Sequence, residues 1–409
     1  MTRRVLVINS GSSSIKYQLI AVPPGANGVE GNEVLASGLV ERIGEIRDGR
    51  LRHDGPDGRV TRELPIRDHQ AGVRAVLNLF EEVGPSLTEN GGLAGVGHRV
   101  VQGGDRFTEP TLITDDVVSG IDHLSPLAPL HNPANVAGIV AAREVFPDVG
   151  HVAIFDTAFH ATLPPAAYTY AIDREIAAKY GIRRYGFHGT SHSFVARRTA
   201  RLLGKDPSEV NVLVLHLGNG ASITAVRAGV SVDTSMGLTP LEGLMMGSRS
   251  GDIDPAVIFH LQRVAGMSTD EIDTLLNRQS GMLGMTGVND MRDVHEMAAG
   301  EGQSAADAQL ALDVYCHRLQ HYIGAYYAQL GRLDAIAFTA GVGENDEWVR
   351  ANSLAGLRQM GIVVDEERNH DRSQPEREIS AAESKVRVFV VPTDEESEIA
   401  RQTLDVLFP

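Results

Sequence analysis

Residues Val5 to Ile20 read VLVINSGSSSIKYQLI. Four apolar residues run into Asn9. Gly11 and its flanking serines follow, and then an alternating run begins. A short apolar run bounded by turn residues predicts a buried strand, and the alternating run predicts a second strand. Gly11 and the serines between them predict a tight turn. Glycine lets the backbone approach a ligand closely, and serine hydroxyls with free N–H groups can surround a phosphate. Lys16 adds a cation a few residues on. A strand rather than a helix follows, so the stretch is not a strand–GxxxxGK[ST]–helix element. On its own it reads more often as an ordinary Ser/Gly hairpin.

The plan recurs. Val212 to Val226, VLVLHLGNGASITAV, again runs from an apolar strand through a polar residue and a Gly-rich turn into a second strand. Val5–Gly11 aligns with Val212–Gly218 without a gap, which predicts two related domains. By itself, Asn219-Gly220 suggests a type I′ hairpin turn. A third cluster, Gly341-Val342-Gly343-Glu344-Asn345, ends the apolar run Ala335 to Phe338. Three strand-to-glycine turns, two of them matched, predict a nucleotide held between two lobes.

The 409 residues allow two to three domains with sizeable cores. The content of 42% hydrophobic and 22% charged residues is that of a globular protein. A formal charge of −16 argues against nucleic acid or an anionic membrane surface as partner. Any anionic substrate must therefore be drawn in by a few placed cations. Cys316 is the single cysteine, so no intrachain disulfide forms and no cysteine metal site is expected. No segment has the apolar length of a membrane span, and no signal peptide is evident, so a cytoplasmic enzyme is the expectation.

Along the chain, Pro23–Asn32 reads as a loop and Val34–Leu64 as further antiparallel strands. Arg67–Val83 has helical spacing, Leu93–Val101 is a strand, and Asn132-Pro133 opens a helix. His151–Phe155 is a buried strand that ends at Asp156. Phe194–Leu203 is helical, and Met236–Pro255 is a Gly/Pro-rich loop. Ala305–Leu330 is a long helix whose stripe Leu312, Tyr315, Leu319, Tyr322, Tyr326 and Leu330 reads as core. Thr393 with Glu396 reads as a capping box that opens the last helix. The predicted lobes are residues 1–155 with 390–409, and 156–389.

Asn9, Arg99, Asp156 and His216 each stand just after an apolar strand, where active sites of open α/β sheets lie. His188 in YGFHGTSH, Arg249 in GSRSGD and the acids Asp394, Glu395 and Glu396 are further candidates. Each has a plain structural reading: a loop histidine, a surface ion pair, an N-cap or a helix-dipole acid. Together with the paired turns they point to phosphoryl transfer, in which arginines and a magnesium ion spread the developing charge. No HExxH or CxxC pattern suggests zinc.

The motifs VLVINSGSSSIKYQL, GHRVVQGG, PLAPLHNP, AIFDTAFH, YGFHGTSH, HLGNGAS, MGLTPLEGLMMGSRSGDIDP, FTAGVGEN and PTDEE together resemble the acetokinase family of carboxylate kinases over nearly the whole chain. The resemblance implies two related ribonuclease H-like α/β lobes of the actin/hexokinase/Hsp70 type with a cleft between them, and a homodimer. It implies reversible transfer of the ATP γ-phosphoryl group to acetate, with ATP/ADP as substrate and Mg2+ (or Mn2+) as cofactor.

By the same resemblance, Asn9 and Glu395 are magnesium-site residues, Lys16 is a phosphate contact and Arg99 binds the carboxylate. Asp156 is the catalytic acid/base or orienting aspartate, and His188 and Arg249 stabilise the transition state. His216, Leu217, Gly218, Asn219 and Gly220 form the phosphate turn. Asp290, Met291 and Arg292 are nucleotide contacts, and Gly341, Val342, Gly343, Glu344 and Asn345 are the adenine-side loop. Val101, Leu130, His131, Phe187 and Pro240 are substrate residues, with Val101, Leu130, Phe187 and Pro240 lining the methyl pocket.

Four positions depart from the usual pattern: Gln102 for His in VVHGG, Ser248 for Thr, Val342 for Ile, and Asp394 for Asn. Gln102, next to the pocket valine, bears on acyl specificity. The alternatives are a propionate or butyrate kinase, or a non-catalytic Hsp70-like ATP-binding switch.

Overall fold

The stretch around Gly11 folds into β1 (Arg3–Ser10) and β2 (Ser14–Val22), antiparallel, with Asn9 opposite Lys16 and Ser10 opposite Ile15. The structure is a computed structural model that describes residues 2–24, 31–45, 48–87 and 92–409. Most of the expected Pro23–Asn32 loop, residues 25–30, lies outside the described residues.

The antiparallel run continues through β3 (Glu33–Glu41), β4 (Gly49–Gly55) and β5 (Gly58–Leu64). On its other side β1 pairs in parallel with β6 (Gly95–Val100). Beyond the short β7 (Thr111–Leu112), β8 (His151–Phe155) pairs in parallel with β6, and β7 closes the edge antiparallel to β8. The order is β5-β4-β3-β2-β1-β6-β8-β7.

The second sheet is built from β9 (Asn211–Leu217), β10 (Ala221–Arg227), β11 (Val230–Thr234), β12 (Ala335–Thr339), β13 (Arg377–Glu378) and β14 (Arg387–Val390). Its order is β11-β10-β9-β12-β14-β13. β9, β12 and β14 are parallel, β10 is antiparallel to β9, and β13 is a short antiparallel edge. The core order β3-β2-β1-β6-β8 is thus repeated, sense for sense, as β11-β10-β9-β12-β14. This is the ribonuclease H-like order, present twice, and the alignment of Val5–Gly11 with Val212–Gly218 lays the first strand of one copy on the first strand of the other.

The chain divides into two units, Met1–Phe159 with Asp394–Pro409, and His160–Thr393. In the first, β1 is buried on both faces. Leu6 and Ile8 pack with Val73, Val76 and Phe80 of the helix His69–Val83 and with Ala141 and Ala142 of the helix Asn132–Val145. Val5 and Val7 pack with Ile399, Ala400 and Leu404 of the last helix, Glu395–Leu407. A strand covered on both faces reads as a continuous apolar run rather than an alternating one.

Several expectations are corrected. Asp156 was expected to open the second lobe. It belongs to the first unit, because its N–H bonds Val100 O at 2.9 Å and its carboxylate holds Arg99. None of Gly218, Asn219 and Gly220 has a positive φ, so the second hairpin is not type I′. Its turn is instead pinned from outside, Gly247 N–H donating to Asn219 O at 2.9 Å. Gly341–Asn345 is no loop: Ala340–Asn345 is a short helix, and Glu344 Oε1 accepts the Ala340 N–H at 2.9 Å.

Thr393 and Glu396 do not form a capping box. Asp394 caps the last helix, accepting from Ser397 N at 3.0 Å, while the Thr393 hydroxyl shares a 2.8 Å hydrogen bond with Ser191 Oγ. The helix expected from Phe194 starts earlier, at Gly189.

Candidate active site

In the first unit the site grows from the strand β6, GVGHRV. Alternate residues of a strand share a face, and Gly95, Gly97 and Arg99 face the last helix in turn. A Cβ on Gly95 would lie 2.5 Å from Leu407 Cδ1, and one on Gly97 would lie 2.4 Å from Thr403 Oγ1. The glycines let the helix lie against the sheet. Arg99 is the first residue of this face with a side chain, and it meets the helix's first residue, Glu395.

Arg99 donates from Nε to Asp156 Oδ1 at 2.9 Å and from Nη2 to Asp156 Oδ2 at 2.7 Å, the two-pronged geometry that arginine forms with a carboxylate. Glu395 Oε2 stands 3.8 Å from Arg99 Nε. Burial works against the Arg99 charge, but Asp156, Glu395 and Glu396 outweigh it and hold its pKa above the ordinary value. Glu395 is pushed up from the usual carboxylate range, chiefly by burial. Asp156 and Glu396 add to this, and Arg99 and Lys16 oppose it. Lys16 forms an ion pair with Glu396.

Two buried asparagines that the motif reading passed over tie this half together. Asn135 donates to Ser10 O at 2.7 Å and accepts from Val101 N at 3.1 Å. Asn132, one helical turn earlier, accepts from Gln102 N at 3.1 Å and donates to Gln102 O at 3.0 Å. The signal was in PLHNP: Asn at a helix start, three residues before another Asn. Val101 is buried, His131 is half-buried, and Leu130 is 48% exposed.

Asn9 and Glu395 offer oxygen donors, the type that suits magnesium. Among the described residues no group of three His, Cys, Asp or Glu side chains could hold a metal ion. One or two protein contacts with water completing the shell is the arrangement these residues fit. A cation there would relieve the crowding of Glu395 by Asp156 and Glu396.

In the second unit the strand ends carry the rest. His188 sits in the left-handed region at φ 57, at the start of the helix Gly189–Leu202. Its ring stacks on His216 with centroids 4.1 Å apart, and its Nδ1 lies 2.9 Å from Ser222 Oγ. A Cβ on Gly220 would be 3.5 Å from Arg249 Nη1 and 3.6 Å from His188 Nε2, so both side chains reach the Gly218–Gly220 turn.

Arg249 donates to Pro240 O at 3.2 Å and, among the described residues, forms no ion pair. Burial pulls its pKa below the ordinary arginine value. The segment that carries it is locked by glycines: a Cβ on Gly247 would lie 2.0 Å from Asn219 Oδ1. Phe187 is buried, 1% exposed, and its carbonyl accepts from His160 Nε2 at 3.0 Å.

A cavity of about 950 Å³ opens beside this turn. Gly218, Asn219, Asp290, Met291, Arg292, Gly341, Val342 and Asn345 line it. His216, Leu217, Gly220, Gly343 and Glu344 do not. His216 and Leu217 are buried in β9, and Glu344 is engaged with Ala340 and Thr393. Asp290 accepts from Arg292 N and Nε, each at 2.9 Å, which holds its carboxyl down at about 2.

The cavity adds Gly247, which stands in the GSRSGD motif without an assigned role, and Met282, Asn289, His295, Tyr315, Asp346, Glu347, Trp348 and Arg372, which lie outside the motifs. Asp346 and Trp348 directly follow GVGEN and could have been read from it. Tyr315, read as core, is buried and also lines this wall.

A duplicated ribonuclease H-like fold, an arginine–aspartate pair at one set of strand ends and a histidine–arginine pair at a glycine turn define an ATP-dependent carboxylate kinase, a transferase. The chain belongs to the acetokinase family, whose model matches residues 4–401. It is 61% identical over 400 residues to the acetate kinase of Clavibacter michiganensis subsp. michiganensis, covering 98% of each chain. Among solved structures, the acetate kinase of Porphyromonas gingivalis matches with TM-score 0.91 at 40% identity, covering 99% of this chain and 100% of that one. A propionate kinase from Francisella tularensis subsp. tularensis matches with TM-score 0.89 at 38% identity, over 98% and 99% of the two chains.

Proposed function

We propose that the protein transfers the γ-phosphoryl group of ATP to acetate, reversibly and by direct in-line displacement, giving acetyl phosphate and ADP. The observation that carries this is Arg249: a guanidinium set in a partly desolvated pocket, without an ion pair among the described residues, at the glycine turn beside the cavity. A cation so placed is suited to the equatorial oxygens of a moving phosphoryl, where charge spreads in the transition state.

Arg99 binds the acetate carboxylate, with Asp156 holding its fork in place. Acetate is ionised at neutral pH, so no strong general base is needed, and Asp156 acts by orienting. His188 donates to the phosphoryl. Val101, Leu130, His131, Phe187 and Pro240 shape the acyl side. The cavity takes the nucleoside, with Asp290–Arg292 and Gly341–Asn345 on it and Lys16 toward the phosphates. Magnesium, held by Glu395 and Asn9 directly or through water, neutralises nucleotide charge when bound.

The same reading makes the enzyme cytoplasmic and homodimeric. No helix among the described residues is long and apolar enough to cross a membrane. Exposed Val257, Phe259, Val264, Leu310 and Val314 supply apolar surface for a second copy.

The likeness to a propionate kinase keeps longer acids in view, because one methylene in an apolar pocket is worth only about 1–3 kcal/mol. Kinetics with acetate, propionate and butyrate side by side test the acyl assignment. The highest kcat/KM belongs to acetate, and a higher value for either longer acid overturns it. An Hsp70-like switch would bind ATP with no acid-dependent turnover at all.

A further inference from the structure

Four histidines of the second unit stand together. Ring centroids are 4.1 Å apart for His188 and His216, 6.4 Å for His188 and His192, and 5.7 Å for His160 and His192. One hydroxyl joins two of them: Ser222 Oγ lies 2.9 Å from His188 Nδ1 and 2.7 Å from His192 Nε2. Ser222 and His192 are fully buried, and His192 Nδ1 has no hydrogen-bond partner. Neither residue has a part in the reaction described so far.

The proton count decides the direction of this chain. A serine hydroxyl carries one hydrogen, and a neutral imidazole carries one N–H. Among the described residues these two imidazoles are the Ser222 side chain's partners, so its hydrogen goes to one of them and the other donates to it. Were Ser222 to donate to His192, neutral His192 would hold its proton on Nδ1, where nothing accepts it. If Ser222 donates to His188 instead, His192 donates from Nε2 and leaves only a bare lone pair at Nδ1. A buried N–H without an acceptor is the rarer fault.

A doubly protonated His192 is disfavoured too. Burial draws its pKa well below the ordinary value, with His160 and His216 adding to the effect. The order His192 Nε2–H to Ser222, then Ser222 O–H to His188 Nδ1, leaves the His188 proton on Nε2. That is the nitrogen 3.6 Å from a Cβ placed on Gly220.

We propose that His192, acting through Ser222, is a positioning residue that fixes His188 as the neutral Nε2–H tautomer, so that His188 meets the transferring phosphoryl as a hydrogen-bond donor. The identity of the acceptor rests on the phosphoryl-transfer reading. The tautomer does not. One partner of an imidazole commonly fixes which nitrogen holds its proton, and Arg249 already supplies the charge this turn needs.

The test is proton-detected NMR of the unmodified protein labelled with 15N-histidine. His188 should show a pyridine-type Nδ1 and a pyrrole-type Nε2. A pyrrole-type Nδ1 on His188 overturns the proposal, and this needs no variant to fold. Kinetics give the second readout. Ser222→Ala and His192→Phe should each lower kcat by about 10–100-fold, with KM for ATP and acetate within about twofold, as for lost supporting hydrogen bonds elsewhere. His192→Gln, whose amide can still donate to Ser222, should keep at least about a third of kcat. Equal losses in the Gln and Phe variants overturn the relay. The expected tautomer in a protein that shows no acetate-dependent turnover would remove the functional reading and leave the tautomer assignment standing.

Discussion

Arg99 and Asp156 face each other through two parallel hydrogen bonds, 2.9 and 2.7 Å long, at the ends of neighbouring parallel strands. Asp156 is buried, at 1% exposure, and Arg99 is the cation that its carboxylate meets. Removing Arg99 therefore has two separable effects. Arg99→Ala should raise the acetate KM by tenfold or more, on the order expected for a lost carboxylate anchor, with the ATP KM much less affected. It should also lower stability by about 3–5 kcal/mol, because it strands a buried carboxylate. Adding Asp156→Asn to Arg99→Ala should return part of that stability in urea unfolding without restoring acetate binding. An unchanged acetate KM in Arg99→Ala would mean that another residue holds the carboxylate.

Arg249 should act on the chemical step rather than on binding. Arg249→Ala is expected to lower kcat by about 10³-fold or more while ATP affinity stays within about threefold, since charge stabilisation is concentrated in the transition state. Steady-state kinetics with equilibrium nucleotide binding separate the two. A variant that keeps more than a tenth of wild-type kcat contradicts the role.

The sequence made the duplicated strand pattern and the strand-end polar residues legible, because both are local: an apolar run, then a polar residue, then glycine. β1 and β9 align without a gap, and the positions of Asn9, Arg99, Asp156 and His216 at the ends of apolar runs are local features of the sequence. What stayed hidden depends on partners far along the chain. Asn135 bonds Ser10, 125 residues away, and Ser222 bonds His192, 30 residues away. The cap of the last helix was misplaced by one residue, because Thr393 and Asp394 are both competent caps and only the Ser191 hydrogen bond takes Thr393 out of competition. The Ala340–Asn345 helix was hidden because two glycines in six residues argue for a loop, and the Glu344 side chain overrides them.

The corrected cap changes the expectation for the acidic cluster. Asp394→Ala should now be the variant that loses helix stability, by about 1 kcal/mol. Glu396→Ala should release Lys16. Glu395→Ala should leave the fold intact and raise the magnesium concentration needed for half-maximal rate, with excess magnesium recovering part of the activity. Magnesium titrations at saturating ATP and acetate, with a melting curve for each variant, check this. A wild-type magnesium dependence in Glu395→Ala would remove Glu395 from the metal site.

His295, on the cavity wall, lies 2.7 Å from Asp346 Oδ2 through Nε2. That hydrogen bond, against burial and with the charge of Asp346 assisting, raises the histidine pKa above its ordinary value. The pair therefore stabilises the folded state fully below about pH 6.5, and its contribution is lost as pH rises through the elevated folded pKa. Asp346→Asn keeps a competent N-cap for the helix Glu347–Leu354 and removes the charge. The Tm advantage of the wild type over this variant should be larger at about pH 6 than at about pH 9. An equal difference at both values would show that the pair does not titrate as the geometry requires.

Phosphoryl transfer from ATP to acetate can be followed by 31P NMR of the purified protein with ATP, magnesium and acetate. The γ-phosphate signal of ATP should be replaced by an acetyl phosphate resonance, with ADP formed in equal amount, no inorganic phosphate at early times, and no change when acetate is left out. Phosphate release in place of acetyl phosphate, or ATP consumption that does not depend on acetate, would contradict it.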